Sequence, residues 1–214
     1  MSSFLPSIVA IVLSYLVGSL SFAVIVSKAL GMADPRSYGS KNPGATNVLR
    51  SGNKGAALAT LLLDALKGWL PVFLVLHAGA DYGMGFATAA LAGLAAFLGH
   101  LYPVFFGFKG GKGVATAAGA LFGIAWLLGL ATGLTWLIIA FFFRYSSLAS
   151  MAAAFFAPAY YLIGGDIVWP LDQVALLSIV IISMLLVWRH RENIRRLYDG
   201  TESRLGSKNK ERGN

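Results

Sequence analysis

The sequence predicts an all-α polytopic integral membrane protein of seven transmembrane helices, and three observations carry that prediction. Hydrophobic residues make up 57% of the 214 residues and charged ones only 12%, with a mean hydropathy of +0.70, outside the range of a soluble domain. The apolar residues gather in continuous runs close to the ~20 residues that a spanning helix needs. The cations, in an excess that gives a net charge of +8, fall between alternate runs rather than between all of them.

The first run, 4 to 30, has no basic stretch before it and reads as an uncleaved helix rather than a signal peptide, with the N-terminus on the periplasmic or outer side. Runs at 55 to 77 and 84 to 106 supply the next two helices. The run from 113 to 143 is long for one span. Its middle, "LLGLATGL" (Leu127 to Leu134), holds two glycines suited to a tight turn, so two helices are expected there. Runs at 146 to 163 and 171 to 188 complete the set. With this count sixteen of the seventeen cations, all but Lys67, share one face, while "HAGADYG" and "GGDIVWP" on the other carry Asp81 and Asp166 and no Lys or Arg. Counting the long run as a single helix sends both Arg144 and the basic tail to the outer side, so six helices are rejected. The C-terminus is then cytoplasmic. No internal repeat is apparent. A single membrane domain is expected over 1–202, followed by a polar, disordered tail over 203–214.

Cysteine is absent, which excludes disulfides, thiolate nucleophiles and Cys-ligated metals. No metal-ligand spacing occurs, and neither a metal nor a cofactor is expected. The basic excess is assigned to cytoplasmic loops and not to nucleic-acid binding.

Three polar clusters interrupt the apolar chain, all on the face given to the cytoplasm. The first, "DPRSYGSKNPGATNVLRSGNKG" (Asp34 to Gly55), offers many hydrogen-bond donors from irregular backbone, but taken alone it is better read as an ordinary polar loop with Asn47 or Ser51 as a helix cap. The second, "GHLYPVFFGFKGGKGVAT" (Gly99 to Thr116), places Lys109 and Lys112 among glycines just before a helix. Consecutive glycines can turn backbone N–H groups toward one point, and the helix adds its positive end, a combination suited to phosphate. The nucleotide-binding Walker pattern is not met: Phe106 stands where its first glycine belongs, and Gly113 replaces the magnesium-binding hydroxyl. A glycine-rich turn with snorkelling lysines accounts for the charge but not for "KGGKG" as a unit. The third cluster, "RHRENIRRLYDGTE" (Arg189 to Glu202), begins where the last run ends. Arg191 and Arg195 suit a juxtamembrane anchor, whereas His190, Glu192 and Asn193 do not.

These segments carry a resemblance. "GSKNPGATNVLR", "GHLYPVFFGFKGGKGVAT" and "RHRENIRRLYDGTE" closely resemble, in order, the three motifs of the bacterial acyl-phosphate:glycerol-3-phosphate acyltransferase family, the PlsY family. "LLDALKG" (Leu62 to Gly68) and "RYSSLAS" (Arg144 to Ser150) also look like that family, and the resemblance covers residues 4 to 202. It implies a monomeric, multi-pass enzyme of the bacterial inner membrane with a cytoplasmic active site. That enzyme moves a fatty acyl group from acyl phosphate to the 1-hydroxyl of glycerol 3-phosphate, giving lysophosphatidic acid and phosphate, the first step of phospholipid synthesis. Its partners are the two small substrates and membrane lipid. Matched residue by residue, the resemblance implies catalytic roles for Ser40, Arg50, Lys109, His190 and Asn193. It implies substrate or phosphate binding by Asn42, Thr46, Asn47, His100, Gly110, Gly111, Lys112, Gly113, Ser147 and Glu202. Lys41 departs from the family, which commonly has glycine there.

An acyl phosphate already carries a good leaving group, so positioning and charge neutralisation matter more than a strong base. The H-x-x-x-x-D signature of other glycerolipid acyltransferases is absent, since Tyr82, Phe105 and Arg195 lie five residues after His77, His100 and His190. We expect no covalent acyl-enzyme, with the acceptor's phosphate dianion taking the hydroxyl proton and His190 as the alternative base. Asp64 and Lys67, one helical turn apart, read as intramembrane glue. A carrier of a phosphorylated solute is the rival reading, opposed by the lack of half-to-half symmetry and by the crowding of polar clusters on one face.

Overall fold

A computed structural model describes residues 4–206, and all secondary structure of any length in them is helical. Helices α1 (Leu5–Gly18) and α2 (Phe22–Ala29) are two parts of the first apolar run, bent by 45° at Ser19–Ser21. The short α3 (Ala45–Leu49) lies in the first polar cluster. Next come α4 (Lys54–Ala78), α5 (Phe86–Leu101), α6 (Val114–Ile124), α7 (Trp126–Phe143), α8 (Ser146–Gly164) and α9 (Gln173–Arg189). After a 52° bend, α10 (Arg191–Tyr198) follows. Two of these starts have side-chain caps of the kind that satisfies orphan N–H groups. Asn53 accepts from the Ala56 N–H at 2.9 Å and Asp172 from that of Ala175 at 2.8 Å.

Four helices are long and apolar enough to cross a bilayer, and six spans result if each bent pair counts as one. With only 11 residues, α6 is roughly 16 Å long, short of a ~30 Å hydrocarbon core.

Close approach, not bulky interdigitation, binds the seam between α4 and α6. A Cβ on Gly68 or Gly119 would run into the backbone of Thr116 or Ala65, so α4 and α6 touch main chain to main chain. Small residues serve this purpose in membrane bundles, where no hydrophobic effect drives helices together. The centre is filled by Val72, Ala92, Ala120, Leu128, Tyr161 and Ile179, all fully buried or nearly so. By contrast α7 is apolar on every side and largely exposed, as suits a helix facing lipid.

Three details differ from the sequence reading. The break in the long run falls at Ala125, in extended backbone (φ −153°, ψ 121°), and "LLGLATGL" is continuous helix. Gly129 is there for contact: a Cβ on it would strike the Phe122 ring. The first run is interrupted at Ser19–Ser21 rather than being one helix. Asn47 caps nothing but lies inside α3, while Asn53 starts α4. Of the tail over 203–214, residues 207–214 lie outside the described residues; within 203–206, the Leu205 N–H donates to the Arg144 carbonyl at 2.6 Å and Arg144 to the Leu205 carbonyl at 2.9 Å.

Candidate active site

All three polar clusters meet at one end of the bundle. The first loop is organised around Asn47, which is 1% exposed. Its side-chain oxygen accepts the Ser40 N–H at 3.0 Å, and its amide donates to the carbonyls of Pro35 at 2.6 Å and Tyr38 at 3.2 Å. Ser40 itself is exposed, as are Thr46 and Arg50, and Asn42 is half-buried. Thr46 Oγ1 lies 3.4 Å from Ser146 Oγ at the start of α8, and Arg50 donates to Ser203 Oγ at 2.6 Å. Lys41 holds φ +55°, the left-handed region that glycine adopts without cost.

In the second loop the Gly111 N–H bonds the His100 carbonyl at 3.1 Å, closing the segment against the end of α5. Gly111 is buried, and a Cβ on it would collide with His100 Nε2; Gly113 has φ +84° and sits on the Phe97 ring. These two positions therefore require glycine for packing and for backbone conformation. Lys109 is exposed and Lys112 half-buried, two residues before α6, whose first-turn N–H groups have no carbonyl of their own helix to bond.

The third cluster folds over the second. Arg189 donates to the carbonyls of Gly110 (2.8 Å) and Gly111 (3.0 and 3.2 Å), so its guanidinium clamps the glycine segment. Lys112 Nζ donates to Asn193 Oδ1. The Asn193 amide donates to Glu202 Oε1 at 2.7 Å, and the same oxygen accepts from Ser147 Oγ at 2.6 Å. Arg196 completes the set with a 2.7 Å contact to Glu202 Oε2. Burial works to raise the Glu202 carboxyl, but hydrogen bonds from Ser147, Asn193 and Arg196, together with the Arg196 charge, hold it below its ordinary value. Burial, reinforced by nearby Arg196 and opposed by Glu202 and Glu192, lowers the Lys112 ammonium to about 8. His190 is buried with Nδ1 2.8 Å from the Leu186 carbonyl. A carbonyl only accepts, so Nδ1 carries the hydrogen and Nε2 is the free edge.

Lys112, Ser147, Asn193 and Glu202 are thus in one network, with Thr46 joined to it through the start of α8 and Gly110, Gly111 and Gly113 forming its floor. His100 is turned inward: only 7% exposed, it faces Asp64 at 3.6 Å. Among the described residues no group of three His, Asp or Glu is placed to hold a metal ion. Chemically, this end of the bundle offers a half-buried ammonium just before the N-terminal end of α6, a setting in which an anion is favoured.

A family model described as glycerol-3-phosphate acyltransferase matches residues 8–200, from within α1 through all of the first two clusters and all but the last two residues of the third. The chain belongs to the glycerol-3-phosphate acyltransferase family. Among its relatives is the glycerol-3-phosphate acyltransferase of Albidiferax ferrireducens, 63% identical over 208 residues, which are 97% of this chain and 92% of that one. A solved structure, the glycerol 3-phosphate form of PlsY (YgiH), an integral membrane glycerol 3-phosphate acyltransferase, superposes with a TM-score of 0.85. It is 39% identical, over 94% of this chain and 96% of that one. The lysophosphatidic acid form of PlsY gives a TM-score of 0.83 at the same identity and coverage.

Within this glycerol-3-phosphate acyltransferase fold, two residues of the site escaped sequence reasoning. Arg189 ends α9 and is easily taken for an interfacial anchor; its place as first residue of the third motif was the available signal. Arg196, beside Arg195, gave none, because only the turn at Gly200 (φ +68°) brings Glu202 back onto it. Arg191, over the Trp188 ring at 4.8 Å, and exposed Arg195 suit an interfacial role.

Proposed function

We propose that this protein transfers a fatty acyl group from acyl phosphate to the 1-hydroxyl of glycerol 3-phosphate, releasing inorganic phosphate and lysophosphatidic acid. The observation that carries the proposal is the joining of Lys112, Asn193, Ser147 and Glu202, from three separate segments, beside the glycine segment held by Arg189. The names of the relatives, and the two forms in which PlsY was solved, support the acceptor and the product. Acyl phosphate as donor rests on the motif resemblance and on the chemistry of an end of the bundle built for phosphate.

In the proposed reaction the acceptor hydroxyl oxygen attacks the acyl carbonyl carbon, the bond from that carbon to the phosphate oxygen breaks, and phosphate leaves. The hydroxyl proton passes to the acceptor's own phosphate, or to His190 Nε2. Lys112, Lys109 and Arg50 neutralise phosphate charge, Ser40 and Asn193 orient the hydroxyl and the donor, and the glycine segment with the remaining motif residues forms the cradle. No acyl-enzyme is formed.

We place the reaction at the cytoplasmic face of the bacterial inner membrane, in a monomer whose domain spans 1–202. Counting the two bent pairs as spans and α6 as a short crossing gives seven, with the N-terminus outside. That count is supported by the segregation of sixteen of the seventeen cations to one face.

The test is purified protein with acyl phosphate and labelled glycerol 3-phosphate, followed for lysophosphatidic acid, with acyl-CoA and acyl-carrier protein as alternative donors and each reaction run with and without EDTA. Product from acyl phosphate alone is expected. Product only from acyl-CoA, or only without EDTA, overturns the donor assignment.

A further inference from the structure

We infer that Asp64 and Lys67 are positioning residues for the glycine segment, acting on it through His100; what the segment holds rests on the proposed function. Both side chains are 2% exposed on α4. Lys67 Nζ lies 2.7 Å from Asp64 Oδ1 and donates to the Leu20 carbonyl at 2.6 Å, satisfying an acceptor set free by the break between α1 and α2. The same Asp64 oxygen lies 3.6 Å from His100 Nδ1, beyond a hydrogen bond but in direct electrostatic contact. No hydrogen-bond partner is found for that nitrogen among the described residues, so Asp64 is the polar group it faces. The opposite edge of the ring, Nε2, is where a Cβ on Gly111 would collide, and the His100 carbonyl takes the Gly111 N–H. The imidazole is a wedge between a carboxylate and the glycine segment.

Displacing that wedge moves Gly111, whose carbonyl Arg189 holds, and with it the next residue, Lys112, which reaches Asn193. Helix cohesion alone does not account for the pair. A buried ion pair is often no more stabilising than well-packed apolar side chains, and helix cohesion needs no contact with an imidazole aimed at the site.

Two double variants separate the readings. Both D64N/K67M and D64L/K67M abolish the ion pair and the donor to Leu20, but the first keeps an oxygen able to face His100 Nδ1. We expect both to keep a Tm within about 4 °C of one another. D64N/K67M should hold KM for glycerol 3-phosphate within about threefold of the parent's, and D64L/K67M should raise it about tenfold or more, as for a lost polar contact. Equal KM values in the two variants overturn the inference. If D64L/K67M does not fold, the cycle between H100A and G111A decides: the loss caused by G111A should largely vanish once the ring is gone, and additive losses overturn the inference. Equilibrium binding of labelled glycerol 3-phosphate is read alongside. A parent that binds it without turning over acyl phosphate overturns only the donor assignment. A parent that does not bind it overturns the functional reading and this inference together.

Discussion

Lys112 donates its ammonium to the side-chain oxygen of Asn193, linking the glycine segment before α6 to the helix that follows the last span. Through Asn193 the charge is coupled to Glu202, and through Glu202 to Ser147 at the head of α8. Under the proposed function, a substrate phosphate entering here would meet an ammonium already held in place, which lowers the entropic cost of the contact.

Lys112→Ala should therefore lower kcat/KM by about 10- to 150-fold, the worth of a charge-assisted contact in a partly dehydrated site. Lys109 is exposed, so its contribution is open to screening. The defect of Lys109→Ala should shrink as ionic strength rises, while that of Lys112→Ala persists. Steady-state kinetics at low and high salt distinguish them, and equal salt sensitivity overturns the assignment.

The pH profile follows from the same burial. With the Lys112 ammonium at about 8, Lys112 is cationic below that pH and loses its charge above it, while the neighbouring guanidiniums keep theirs. A phosphate monoester gains its second charge near about pH 6, so activity should rise through that region and fall again as Lys112 deprotonates. On the alkaline side the change should appear as a rising KM for glycerol 3-phosphate, and Lys112→Arg should move that limb upward. A KM flat to pH 10 would remove Lys112 from the phosphate site.

Asn47 is a loop organiser in its observed contacts. Replacing it with Ala strips partners from the Ser40 N–H and from the Pro35 and Tyr38 carbonyls, at a cost of about 1 to 3 kcal/mol for buried groups left unsatisfied. A fall in detergent Tm of several degrees is expected along with lost activity. Raised KM with unchanged Tm would make Asn47 a direct ligand instead.

The bundle was legible because lipid tolerates only backbone paired within its own segment, so apolar runs mark helices almost by themselves. Ala125 was not, since a one-residue break carries no polar signal and the nearby glycines point to the wrong place. In the site, polar interruptions of apolar runs announced the three segments, and glycine's conformational freedom announced the turn at Gly113. Partner choice was illegible. That His100 turns toward Asp64, or Arg189 toward the glycine carbonyls, depends on which helices pack together, and no local pattern encodes it.

Orientation is open to a clean test because the chain has no cysteine, so each introduced thiol reports alone. Cysteines placed at Asn53 and Ser203 should be labelled by a membrane-impermeant maleimide only after the membrane is opened, and cysteines at Asp81 and Asp166 in intact cells. Labelling of Asp166→Cys only in opened cells would break the count of seven spans.

Arg189 gives the most discriminating substitution. Its guanidinium spans two successive carbonyls, Gly110 and Gly111, a geometry that an ammonium cannot reproduce. Arg189→Lys keeps the charge at the end of α9 but releases one carbonyl, so the glycine segment should loosen and KM for glycerol 3-phosphate rise about 5- to 15-fold. Arg191 lies over Trp188 at the surface, and Arg191→Ala should cost less than about threefold. If Arg189→Lys behaves like Arg191→Ala, the clamp contributes only charge, and the shape of the glycine segment is set by Gly113 and His100 alone.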